Sequence, residues 1–128
     1  MGVPFEVKQS DGVAQVTIVS ATYGAPPDLG GISISADNGG VLILDVLWET
    51  TEGTTSANPM YIDAKDAEGR EGSIAIGVDS ALGSGDVPTG DKMRGNVAFD
   101  IGAGPYIVTV SDTLLQEAAR LTVEATAR

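Results

Sequence analysis

Three consecutive pieces decide the fold: the run Gly95-Asn96-Val97-Ala98-Phe99-Asp100-Ile101, the turn Gly102-Ala103-Gly104-Pro105, and the run Tyr106-Ile107-Val108-Thr109-Val110. Val97, Phe99 and Ile101 recur at every second residue, so they share one face of an extended chain. The glycines and the proline between the runs reverse the direction. Half-buried strands joined by such breaks form antiparallel hairpins.

The same signature extends toward both ends of the chain. Phe5-Glu6-Val7-Lys8 reads as a short first strand, turned back at Ser10-Asp11-Gly12. Residues 15–23 are β-branched nearly throughout and read as a strand that Pro26-Pro27 halts. Residues 41–48 are apolar on both faces except at Asp45, as in a central strand or one whose outer face is covered. Residues 59–64 and 72–78 flank the turn Asp66-Ala67-Glu68-Gly69-Arg70 and read as a plain hairpin. Residues 52–56 and 83–91 read as polar loops. Residues 24–40 read as the longest irregular region, with a short strand at Ile32-Ser33-Ile34-Ser35. At 111–119 the alternation stops: Leu114, Leu115 and Ala118 fall on one helical face that Ser111 or Asp112 would cap, which predicts a helical turn. Residues 121–125 alternate again.

The expectation is an all-β, antiparallel immunoglobulin-like β-sandwich of seven to nine strands, with residues 1–128 as one domain. Met1-Gly2 reads as a native start or a cloning remnant. A closed barrel is the competing architecture. Val16, Ile18, Leu42, Leu44, Val46, Ile74, Ile76, Val97, Phe99, Ile101 and Val108 are the predicted core.

Seven basic residues against eighteen acidic ones give a net charge of −11. Binding phosphate backbones or anionic headgroups needs clustered cations, and here only Lys92 and Arg94 sit close together. Nucleic acid is therefore excluded as a partner. No long apolar run is present, so no insertion into a membrane is expected of this domain, and no targeting segment is visible. The chain has no cysteine and no histidine. That removes thiolate nucleophiles, disulfides, the standard zinc sites and the commonest base near neutral pH.

The order of pieces is itself informative. An apolar strand ends near Trp48, a hairpin follows around Asp66-Ala67-Glu68-Gly69, a loop ends in Pro88-Thr89-Gly90, and then comes Gly95-Asn96-Val97-Ala98-Phe99-Asp100. From about Phe5 to Ala125 this order resembles a family of small secreted or lipid-anchored immunoglobulin-like domains of Gram-positive bacteria, of the mycobacterial secreted immunogenic protein type. The resemblance implies a secreted or cell-envelope location and a non-catalytic interaction role. It carries no catalytic residues over to this chain.

Among candidate chemistries, Asp63, Asp66, Glu68 and Glu71 gather carboxylates at one hairpin tip, as a calcium or carbohydrate site would require. The D-x-[DN]-x-[DN]-G loop is missing, and Lys65 and Arg70 offset the charge, as on an ordinary solvated hairpin. Calcium is the one cofactor the chain suggests, and none is required by its composition. Asp45 reads as a hydrogen-bonded or edge-facing acid. Lys8, Asn96 and Asp100 are the only set resembling a Lys–Asn crosslink, and Lys8 alternates onto the exposed face of its strand. No enzyme is expected. A protein partner would meet the loops at 24–40 or 83–91. Val41, Ile43 and Leu47 project opposite the core face, so either a loop covers them and the protein is a monomer, the favoured state, or a face-to-face dimer forms.

Overall fold

In a computed structural model, residues 2–25, 39–75, 78, 80–114 and 116–127 are described. They contain ten strand segments: β1 (Phe5–Gln9), β2 (Gly12–Gly24), β3 (Gly40–Ala57), β4 (Ile62–Lys65), β5 (Ser73–Ala75), β6 (Gly85–Pro88), β7 (Lys92–Ile101), β8 (Tyr106–Ser111), β9 (Glu117–Val123) and β10 (Thr126–Ala127). A single 3-10 turn at Pro59–Tyr61 precedes β4.

The large sheet runs β1-β2-β3-β7-β5, with β10 added beside β2 and β6 beside β3. The small sheet is β4-β8-β9. All strand pairs are antiparallel except β10 with β2. Two separate sheets, rather than one closed cylinder, make this an immunoglobulin-like sandwich and not a barrel. The count exceeds the expected seven to nine because of two short segments: β10 beside β2, and β6, which lies within 83–91, read as a loop, and pairs with the far end of β3.

The core lies between the sheets. Val16, Ile18, Leu42, Leu44, Val46, Val97, Phe99, Ile101 and Val108 are all buried, as their alternation predicts. Ile74 is 37% exposed and is a correction: it sits on β5, a three-residue edge strand. Ile76 lies outside the described residues, as do the stretch at 32–35 and Leu115. Val41 is fully buried with Ala98 on the outer side of the large sheet, where Ile43, Ala75 and Val78 pack against them. That apolar outer face is therefore largely covered at its Val41 end.

Three further readings are corrected by the structure. Residues 52–56 are no loop: β3 continues through them to Ala57, paired with β6. The segments around the 66–70 turn do not form a plain hairpin. β4 belongs to the small sheet and β5 to the large one, so the chain changes sheets here after the single bridge Lys65–Glu71. Residues 111–119 hold no helix among the described residues. β8 ends at Ser111 and β9 begins at Glu117. The Asp112 carboxylate does accept N–H groups, from Leu114 and Gln116, but it closes a strand-to-strand turn. Capping chemistry looks the same in both settings.

The strand directions define two ends. At one, β2 leaves at Gly24, β3 enters at Gly40 opposite Ile101, and Ala67 bonds the carbonyl of Ala103. The crossover from β9 to β10 is there as well. The other end holds the β1–β2 turn, a bend in β3 at Gly53, the β6–β7 turn and the β8–β9 turn. Of the two loops nominated from sequence, 83–91 holds β6 and the β6–β7 turn at the second end, and 26–38 of the other lies outside the described residues.

Candidate functional site

The bend end is locked by buried polar groups. Trp48 Nε1 donates to Thr55 Oγ1 at 2.8 Å, although the two residues are seven apart on one strand element. A straight strand would separate them by about 23 Å at about 3.3 Å per residue. β3 must therefore double over between them. Gly53, with φ +62, supplies a conformation that side chains disfavour. Thr50 Oγ1 donates to the carbonyl of Val87 at 2.6 Å and lies 2.8 Å from Thr55 Oγ1. Thr50 has one hydroxyl proton, already given to Val87, so Thr55 donates to Thr50. The relay runs one way: Trp48 N–H to Thr55, Thr55 to Thr50, Thr50 to the β6 backbone. Every member is buried and satisfied.

Main-chain bonds reinforce it. Thr89 N–H reaches the Gly53 carbonyl, Gly90 N–H the Thr50 carbonyl, and Thr50 N–H the Asp91 carbonyl. The Gln9 carboxamide pairs with both backbone groups of Ser56, at 2.9 and 2.8 Å, standing in for a neighbouring strand. The segment 83–91 is consequently part of the frame.

The opposite end carries a groove of about 300 Å³ lined by Tyr23, Gly104, Pro105, Tyr106, Glu124 and Ala125. It adjoins a second hollow along Thr122, Glu124, Ala125 and Thr126. The tyrosine rings lie 6.0 Å apart, tilted by 43°. Each hydroxyl donates to backbone: Tyr23 to the Ile101 carbonyl at 3.0 Å, Tyr106 to that of Gly102 at 2.9 Å. A Cβ on Gly104 would stand 2.5 Å from the Tyr106 ring, so the glycine gives that ring its room. The groove is a fixed, mostly aromatic and proline wall with one carboxylate, Glu124, on it. Sequence pattern places Tyr23 at the end of one strand and Tyr106 at the start of another; their convergence depends on the β7–β8 turn meeting the end of β2.

Burial first, with the Tyr23 and Asp66 charges adding and the Gly104 backbone opposing, pushes the Tyr106 phenol up to about 12. Unfolded tyrosine titrates near 10. The phenol's contribution is therefore complete below pH 10 and lost as pH rises from 10 to 12. Urea midpoints measured at pH 8, 10 and 12 are expected to fall more steeply for the native chain than for Tyr106→Phe across the upper interval. Parallel curves would refute this placement of the phenol.

The four carboxylates nominated as a metal site do not converge. Asp66 is engaged by the N–H groups of Glu68 and Arg70, and Glu68 is ion-paired with Arg70 at 3.6 Å. Asp63 faces Glu71, and desolvation followed by the charge of Glu71 raises its proton affinity. Among the described residues no three acidic side chains are placed to hold a metal ion. Asp45 is clamped by Arg94, Nε to Oδ1 at 3.1 Å and Nη2 to Oδ2 at 2.8 Å, the hydrogen-bonded acid foreseen. Lys8 is exposed and ion-paired with Glu6. It lies on β1, whereas Asn96 and Asp100 are on β7 beyond two intervening strands, roughly 14 Å at ~4.8 Å per strand. No crosslink is geometrically available.

No family model matches the chain, and no curated protein matches it by sequence. Solved structures do. MPT63, a secreted protein of Mycobacterium tuberculosis, superimposes with a TM-score of 0.72 at 14% identity, over 95% of this chain and 93% of that one. The yjhA protein of Bacillus subtilis gives 0.67 at 17% identity, over 98% and 97%. The ycdA protein of Bacillus subtilis, a candidate lipoprotein, gives 0.66 at 18% identity, over 93% of this chain but 38% of that one. At such identities what is shared is architecture: the chain has the β-sandwich fold of the secreted mycobacterial protein MPT63, the type its strand order resembles.

Proposed function

We propose that this chain is a non-catalytic domain working outside the cytoplasm, secreted or held at a bacterial cell envelope, and that it meets a protein partner through its groove end. The observation that carries the reading is the whole-length likeness to a secreted protein and to part of a candidate lipoprotein. The disposition of polar side chains supports it. The buried hydroxyls of Thr50 and Thr55, the hydroxyls of Tyr23 and Tyr106 and the Asp45 and Asp66 carboxylates are all spent on holding strands and turns. The bend end is tied down, which leaves the groove end, with its preformed hollow, as the contact surface. Fractionation of native cells tests the location: the protein is expected in the medium or the envelope, and recovery in the cytosol would overturn the proposal.

A calcium- or carbohydrate-binding module at 63–71 is the other reading, and the dispersed carboxylates weigh against it. A site filled a hundredfold over its Kd would add about 2.7 kcal/mol, roughly 10 °C in Tm for a domain of this size. Melts with and without millimolar calcium are expected to coincide. A rise of several degrees would restore the hairpin as a metal site.

A further inference from the structure

β1, one of the two terminal strands of the large sheet, presents an edge with alternating charge. It stands at the end of the sheet order, bonded to β2 on one edge only. Which of its groups face outward follows from its hairpin. Gln9 is paired with Gly12, and the two residues between them are sequence neighbours that cannot bond each other across the ladder. Gln9 and Gly12 must therefore exchange both hydrogen bonds, and by alternation Val7 and Phe5 also face β2. The N–H and C=O groups of Glu6 and Lys8 point the other way, and among the described residues no hydrogen bond to them is found. Their side chains stand on the outer face, 55% and 77% exposed, 3.6 Å apart.

We infer that a second copy of this chain docks on that edge, antiparallel, with the two-fold axis at Val7. In this register Glu6 faces the second copy's Lys8, and Lys8 faces its Glu6. The outward groups of each such pair exchange both main-chain bonds, four in all for the two symmetric pairs. The side chains form an alternating square of charges, with opposite signs both along and across the strands, which is the favourable cross-strand arrangement. The contact is isologous and consumes the edge, so it closes as a dimer. Pro4, with no N–H, and the turn after Gln9 limit it at each end. Five residues give a small contact, and a charge of −11 on each copy opposes it. Association is expected at hundreds of micromolar, roughly.

The test is sedimentation equilibrium up to ~1 mM, together with amide hydrogen exchange as a function of concentration. The native chain is expected to dimerise, with the Glu6 and Lys8 amides gaining protection while those of Phe5, Val7 and Gln9 do not change. Lys8→Pro removes an outward N–H that the β1–β2 ladder does not use, so it should leave the far-UV spectrum and Tm intact and abolish the dimer. Glu6→Lys sets Lys against Lys twice and should weaken association about tenfold or more, even though it lowers the net charge. The double exchange Glu6→Lys with Lys8→Glu should restore it. A native chain monomeric at ~1 mM, a Lys8→Pro variant that dimerises equally, or a double exchange that fails to recover would each overturn the pairing.

Discussion

Trp48→Ala is expected to cost about 3–5 kcal/mol of unfolding free energy, a large part of the roughly 5–15 kcal/mol of an ordinary domain. Trp48 is the largest fully buried side chain and sits at the bend of β3, between Val16 and Met93 on the neighbouring strands. Its removal leaves a cavity and also takes the first donor from the threonine relay. Trp48→Phe separates the two effects. It keeps most of the apolar volume and removes the N–H with part of the indole ring, leaving a buried Thr55 acceptor short of a donor, for about 1–3 kcal/mol. Urea denaturation of the three proteins should rank them native, Phe, Ala. A Phe variant as stable as the native chain would mean that the relay adds nothing, and an Ala variant within about 1 kcal/mol would mean that the bend is not anchored there.

The second large effect is expected at Gly53. Its φ of +62 already disfavours a side chain, and a Cβ there would run into the carbonyl oxygen of Asp11 in the β1–β2 turn. Left-handed backbone costs about 1–2 kcal/mol for a residue with a Cβ, and forced overpacking typically adds about 1–3. Gly53→Ala is therefore expected to lose about 2–5 kcal/mol by the same assay. Gly69, also at positive φ but with open space around it, is the control: Gly69→Ala should cost only the backbone component, about 1–2 kcal/mol. Equal losses at the two positions would show that the turn and the bend are not in contact.

Where period-two alternation was strong, sequence and structure agree, because inward-facing residues of β2, β3, β7 and β8 needed only a partner sheet to become core. Reading failed where polarity stood in for looseness. Residues 52–56 look like a loop because threonine and serine are polar, yet the β-branched Thr54-Thr55 pair is strand chemistry and Thr55 is 1% exposed. The stretch 111–119 reads as helical through Leu114, which is 74% exposed, whereas the alternation read from Leu121 onward already begins within it, as β9 starts at Glu117. Ile74 was placed inside because its run is apolar. That β5 is a short edge strand follows from the change of sheets at 66–72, which no local pattern announces. The groove was invisible for the same reason, since Tyr23 and Tyr106 meet only in the folded chain. The acidic residues at 63–71 are neighbours in sequence but spend their charge locally, Asp66 on its own turn and Glu68 on Arg70.

The most direct measurement is hydrogen exchange at the indole of Trp48, the only tryptophan, which gives a single assignable resonance. This domain is a frame whose buried polar groups are engaged in structure, with the Trp48–Thr55–Thr50 relay fixing the bend end. The indole N–H is therefore expected to exchange only when the whole domain unfolds, with protection matching the global free energy from denaturation. An indole proton that exchanges within minutes under native conditions, while core amides of β3 stay protected, would contradict it.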